Sequence, residues 1–186
     1  MTPAMLVEEI MQTEVVTCPV DATIFDALQL MKKHNIRHLP IVNTDNELVG
    51  IIAERNLKDG LSPSFQELTD HRFFSQPVSQ YMVTELITAH RLDFVEDLAA
   101  ILYEHKIGCI PIVENQQVIG LVTETDMLYT LVQLTGAHQS SSIIEIHVEN
   151  KAGILADIAQ IISEENVNIT SVLLYPNERS LDHLMR

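Results

Sequence analysis

Thr123 and Asp126 carry the most readily named chemistry in this sequence. They stand in "VIGLVTETDML", Val118 to Leu128, where a β-branched run passes through Gly120 and gives way to an apolar, helix-like pattern. A turn from strand into helix leaves backbone N–H groups unpaired at the helix N-terminus, where a phosphate is favoured. A Thr hydroxyl beside them can donate to a phosphate oxygen. A carboxylate three residues on can accept from both hydroxyls of a ribose. The same pair also spells a capping box, in which the Thr oxygen accepts from the Asp126 N–H and the carboxylate reaches back. The T-x-x-D pattern alone leaves both readings open.

A second group lies in "KKHNIRHLP", Lys32 to Pro40, where Lys32, Lys33, His34, Arg37 and His38 crowd into one short run. The surrounding chain is acidic, with 26 Asp and Glu against 11 Lys and Arg and a net charge of −15 over 186 residues. Such a surface repels nucleic-acid phosphates and anionic membranes, so neither is an expected partner. An anionic ligand needs a local pocket with its own cations, and Arg37 and His38 are candidates for it. The structural alternative is a solvated helix end whose cations complement the helix dipole. His34 and His38 have i, i+4 spacing, but His38 starts a strand, so they do not share a helix as a metal pair would. No metal site is expected and no cofactor is required. No nucleophile–base or paired-carboxylate arrangement is legible, so the chain does not read as an enzyme. Cys18 and Cys109 are far apart and form no C-x-x-C pair. The opening "MTPAMLVEEIMQTE" lacks a basic n-region, and no apolar run approaches the roughly 18 residues a membrane span needs. A cytoplasmic protein is the expectation.

The elements that must position these residues follow from an internal repeat. "IMQTEVVTCPVDATIFDALQLMKKHNIRHLPIVNTDNELVGIIAERNL" is matched by "YMVTELITAHRLDFVEDLAAILYEHKIGCIPIVENQQVIGLVTETDML". Met11 corresponds to Met82 and Pro40 to Pro111. One residue is then lost between "NTDNE" and "ENQQ", so that Gly50 corresponds to Gly120 and Asn56 to Asp126. Each copy reads as β-α-β-β-α. A short strand ("VVT", "LIT") precedes a helix with apolar positions Ile24, Ala27, Leu28, Met31 or Val95, Leu98, Ile101, Leu102, and two β-branched strands then form a hairpin. Strands apolar on both faces need cover on both sides, which the partner copy can supply.

"GLSPSFQELTDHRFFSQP", Gly60 to Pro77, belongs to neither copy; "SFQELTDHRFF" suits a helix, with Phe73 and Phe74 as core anchors. After a polar linker, "SIIEIHV" alternates like a half-buried strand, "ENKAGIL" turns into a helix with apolar Ile154, Leu155, Ile158, Ile161 and Ile162, and "VNITSVLLY" reads as a second strand. Gly153 supplies the permissive residue at that turn.

The paired units resemble two CBS motifs, which fold together as a CBS pair, or Bateman module. The resemblance is carried by "IRHLPIV" and "IGCIPIV", then by "LVGIIAERN" and "VIGLVTETD". The second copy fits the motif fully at Gly120, Thr123 and Asp126; the first keeps Gly50 but has Ala53 and Asn56 in the polar places. The segment from Ile143 onward resembles an ACT domain, with Ala152 where Pro is common, and it stops short of the full β-α-β-β-α-β order. The combination resembles a bacterial acetoin-utilisation family.

The resemblance implies an α/β (α+β) fold of two β-α-β-β-α motifs packed as a pseudo-two-fold pair, followed by a partial ACT-like β-α-β segment. The implied division is 5–60 and 77–134 for the two motifs, 61–76 for the connector, 135–142 for a linker and 143–186 for the ACT-like part. The implied ligand is an adenine nucleotide (AMP, ADP or ATP) between the copies. Thr123 and Asp126 would hold phosphate and ribose, and Arg37, His38 and Arg55 would supply cations. Ile87 and Ile110, with Val15 and Leu39, would line an adenine slot, and Pro111 would fix the backbone beside it. Gly120 would lie close to the ligand, and Asn56 would mark the weaker second cleft. A homodimer and a regulated protein partner are also implied, while a ligand-free dimer scaffold or a binder of S-adenosylmethionine or NAD stands as the alternative.

Overall fold

Two β-hairpins, one from each copy, carry the fold. In the computed structural model, residues 5–59, 71–137, 140, 142–149 and 151–174 are described. The chain divides after Met127 into two units. In the first unit, β1 (Cys18–Pro19), α1 (Ile24–His34), β2 (His38–Val42), β3 (Leu48–Ala53) and α2 (Glu54–Asp59) form the first copy. After the short α3 (His71–Phe74), the second copy runs through α4 (Val95–His105), β4 (Cys109–Glu114), β5 (Gln117–Thr123) and the start of α5 (Glu124–Thr135). Strand β1 pairs parallel with β2, and β2 pairs antiparallel with β3. The equivalent of β1 in the second copy is a single parallel bridge from Ala89 to Ile112. The first strands therefore pair just beyond "VVT" and "LIT", where the chain reaches β2 and β4; β-branched propensity does not say where that occurs.

The register slips at the same place in both hairpins, between Ile41 and Val42 and between Ile112 and Val113. The missing residue of the second copy is explained at its turn. Asn115 and Gln116 both have positive φ (50° and 67°), the requirement of a two-residue turn between twisted strands. The first copy uses a longer loop, in which the Asn43 side-chain oxygen accepts from the N–H groups of Asp45 and Glu47.

Each copy lends its leader to the other. Gln12 exchanges backbone hydrogen bonds with Leu121 of β5 (2.9 and 3.0 Å), and Val83 exchanges them with Ile51 of β3 (2.8 and 3.0 Å). Val7 is fully buried in the second copy's core, among Leu98, Leu102, Ile110, Ile112 and Val122. Val78 is fully buried in the first copy's core, with Ile24, Leu39, Ile41 and Ile52. Met11 lies on Gly120 and Met82 on Gly50. A Cβ on Gly120 would come within 2.6 Å of the Met11 sulfur, and one on Gly50 within 2.8 Å of Met82 Cγ. Phe73 joins the first copy's core and meets Phe74 and Tyr81 edge to face, as expected of an anchor; Phe74 is half-buried. The earlier part of the expected connector helix, residues 64–70, lies outside the described residues.

The second unit corrects one expectation. Helix α6 (Ile154–Glu164) forms as its periodicity indicates, opening at Gly153 with φ +93°. The flanking segments 142–149 and 167–174 are not assigned to strands. A strand is defined by its partner, and in a split β-α-β arrangement the first two strands are separated by another. Their alternating apolar residues, among them Ile143, Ile144, Val167 and Val172, are correspondingly exposed. "NERSLDHLMR" lies outside the described residues.

The glycine–methionine contacts make a direct prediction. Gly50→Ala should destabilise the protein by about 1–3 kcal/mol through overpacking against Met82. Combining it with Met82→Ala should cost at least about 0.5 kcal/mol less than the sum of the single changes, as urea denaturation would show. Strict additivity would mean that the two residues do not share this contact.

Candidate functional site

Thr123 ends β5 and Asp126 lies in the first turn of α5, both half-buried. They form the capping box in full. The Thr123 N–H and hydroxyl both donate to Asp126 Oδ2, at 2.8 and 2.6 Å, and the Asp126 N–H donates to Thr123 Oγ1 at 3.3 Å. The other carboxylate oxygen, Oδ1, accepts from the Gln12 side-chain amide at 3.0 Å. Sequence reasoning missed Gln12, since nothing local marks a residue 114 positions away as a partner. In the first copy, Asn56 does half of this work, accepting from the Ala53 N–H at 3.2 Å. Ala53 has no hydroxyl to complete the box. Thr23 and Asp26 build the same box at the start of α1, away from either strand-to-helix turn, so the box by itself is a helix device.

The cationic residues of the first copy meet the second copy at Gly108. Arg37 precedes β2 and is exposed, and His38 begins β2 and is half-buried. The His38 ring faces Gly108 so closely that a Cβ there would lie 2.7 Å from Nε2. The pseudo-symmetry is legible in the backbone. The Glu54 N–H donates to the Arg37 carbonyl at 2.9 Å, and the Glu124 N–H donates to the Gly108 carbonyl at 3.2 Å. Glu124, next to Thr123, therefore sits beside the same crossing.

Burial holds the His38 pKa below its usual value; the charges of Arg37 and Arg55 act the same way, and Glu124 opposes them. Cys109, at the position equivalent to His38, is pushed up to about 12, chiefly by burial. It is an unreactive core thiol. The geometry thus brings Arg37, His38, Arg55 and Glu124 to one crossing, with Thr123 adjacent in the chain.

The expected apolar slot is placed differently along its length. Ile110 is fully enclosed in the second copy's core, and Pro111 is buried beside it in β4. Leu39 is likewise enclosed in the first copy's core. These three serve packing and offer no side-chain surface in this arrangement. Ile87 and Val15, half-buried in the segments leading to Ala89 and β1, are the members of the set that reach the surface. Gly120 is occupied by Met11, so its small size serves the leader exchange. Arg55 is exposed on α2 and Asn56 half-buried. His34 ends α1 and His38 begins β2, so the pair does not share a helix. Among the described residues, no three His, Cys, Asp or Glu side chains gather as a metal ion would need, and no helix is long and apolar enough to cross a membrane.

Paired β-α-β-β-α units with exchanged leaders define a tandem-repeat fold, and comparison with known proteins places it. Residues 7–62 and 78–133 each match the CBS domain. The chain belongs to the CBS-domain family, and residues 142–185 match the ACT domain. Among solved structures, a Vibrio cholerae protein assigned to acetoin utilization (AcuB) is 28% identical, with a TM-score of 0.63 over 76% of this chain and all of that one (100%). The CBS domain pair of protein MJ0100, in complex with 5′-methylthioadenosine and S-adenosyl-L-methionine, is also 28% identical, with a TM-score of 0.62 over 74% of this chain and 100% of that one. The L-aspartate semialdehyde sulfurtransferase of Methanocaldococcus jannaschii is 29% identical over 127 residues, 68% of this chain but only 23% of that enzyme. So partial a match transfers no catalytic role.

The half-buried histidine gives a pH prediction. Its folded pKa lies below the unfolded value, so its contribution to stability is present above about pH 6.5 and is lost as pH falls through the folded pKa. Between about pH 7.5 and about pH 5.5, the wild type should lose more stability than His38→Gln. Urea midpoints at the two pH values check this; equal losses would mean that His38 titrates as it does in the unfolded chain.

Proposed function

We propose that this chain is a regulatory module that binds an adenine nucleotide (AMP, ADP or ATP) in the cleft of the second copy. Asp126 takes the ribose hydroxyls, and Thr123 with the α5 N-terminus takes phosphate. Arg37, His38 and Arg55 of the first copy supply the opposing cations. Ile87 walls the base, backed from the core by Ile110 and Pro111. The observation that carries this reading is the division of labour between the copies. At the turn that follows the hairpin, the second copy has a hydroxyl and a carboxylate, Thr123 and Asp126, where the first has Ala53 and Asn56, and the cations converge on the second copy from the first. Binding would shift the population between relative arrangements of the copies, read out by the ACT-like segment or by a protein partner. A homodimer in the cytoplasm, and a role in acetoin utilisation like that assigned to the Vibrio cholerae relative, belong to the same proposal.

A second reading has its own support. The MJ0100 CBS pair holds 5′-methylthioadenosine and S-adenosyl-L-methionine, adenosyl ligands without phosphate. The cation cluster favours the nucleotides, because 5′-methylthioadenosine offers Arg37 and Arg55 no anion and S-adenosyl-L-methionine offers one carboxylate accompanied by its own ammonium and sulfonium cations. A scaffold role without ligand is the remaining competitor.

Thermal shift against AMP, ADP, ATP, NAD and S-adenosylmethionine separates the three. A ligand at 100 times its Kd should add about 2.7 kcal/mol of stability. Shifts with nucleotides are expected; a shift with S-adenosylmethionine alone selects the second reading, and no shift at all sinks both. Asp126→Asn, which imitates the first copy's Asn56, should keep the helix cap and weaken nucleotide binding about tenfold or more. Unchanged binding would remove Asp126 from the site.

A further inference from the structure

Gln12 belongs to the leader of the first copy, yet its side chain reaches the carboxylate of the second. A carboxylate offers about four acceptor positions. At least three on Asp126 are taken: two on Oδ2 by the Thr123 N–H and hydroxyl, and one on Oδ1 by the Gln12 amide. A ribose diol needs two. The Thr123 contacts hold the helix cap together, so the contact a diol displaces at least cost is the exposed one from Gln12.

From this we infer that Gln12 is a latch, and that an adenosyl ligand and the leader of the first copy compete for Asp126. The inference rests on the adenosyl reading above. Three further observations support it. The latch is one-sided, because the residue equivalent to Gln12 in the second leader is Val83, which has no side-chain donor, and the group equivalent to Asp126 in the first copy is Asn56. The amide donor and the carboxylate therefore occur together, and their counterparts lack both. Next, Gln12 is held in place independently of its side chain, through both backbone hydrogen bonds to Leu121. Finally, Met11 rests on Gly120 and Val7 is buried in the second copy's core, so the segment leading into the latch is anchored on the second copy. Release of the side chain loosens one contact of an otherwise fixed strap, and ligand occupancy is thereby reported to the leader.

The test is calorimetric titration of the full chain, wild type and Gln12→Ala, with AMP and with 2′,3′-dideoxyadenosine 5′-monophosphate, which lacks the diol. The latch predicts that Gln12→Ala tightens AMP binding about 3- to 10-fold, the effect of losing one solvent-exposed competing hydrogen bond. It predicts no matching gain for the dideoxy compound. Unchanged or weaker AMP binding by the variant, or an equal gain for both compounds, overturns the latch while leaving the adenosyl reading intact. If neither the wild type nor the variant binds AMP here, nor any adenosyl compound of the thermal-shift panel, the adenosyl reading falls and the latch with it. Gln12→Met, which keeps the length and removes the donor, repeats the test should Ala loosen the leader, as judged by melting temperature.

Discussion

The reciprocal seating of each leader on the other copy is the contact from which the rest follows. Met11 fits over Gly120 and Met82 over Gly50, in space that a single added Cβ would fill. Val7 and Val78 then complete cores to which their own copies do not otherwise belong. Each core lacks a fully buried residue without the other copy's leader. Burying one such side chain is worth about 1.5–3 kcal/mol, a sizeable part of the stability of a small domain. The copies are therefore coupled in folding, and their relative placement is set by backbone pairing at Gln12–Leu121 and Val83–Ile51.

That placement brings diverged residues of the two copies to one crossing, where the ligand site is proposed. Because the pair is pseudo-symmetric, equivalent residues face each other across it, and identical copies would set like charges against like. The chain avoids this by divergence. Arg37 and His38 of the first copy correspond to Gly108 and Cys109 of the second, and the His38 ring uses the room that Gly108 leaves. Ala53 and Asn56 correspond to Thr123 and Asp126. Cations come from one side and the acidic, hydroxyl-bearing turn from the other. Glu124, in that turn, partly offsets the Arg37 and Arg55 charges at His38.

Much of the fold was legible in the sequence, because the repeat doubled every local signal. Helices α1 and α4, both hairpins and the dropped turn residue follow from periodicity and from Gly, Pro and Asn chemistry. The leader exchange was not legible. "MLVEEIMQTE" and "VSQYMVTE" carry the same pattern, and a pattern does not say which of two equivalent surfaces it covers. For the same reason Gly120 read as a ligand position, whereas it makes room for Met11. Ile110 and Leu39 read equally well as slot or core, and burial placed them in the core. The ACT-like strands failed as strands because alternation describes a face and pairing requires a neighbour. Thr123 and Asp126 were recognised, but their capping role and their proposed ligand role share atoms. The sequence held no sign of the third claimant, Gln12.

On the proposed reading, divergence of the copies leaves one adenosyl site per chain. Calorimetric stoichiometry measures this most directly. With the adenine nucleotide that gives the largest thermal shift, one molecule should bind per chain at saturating ligand concentrations. Two equivalent sites per chain, or one site that persists unchanged in Asp126→Asn, would contradict it.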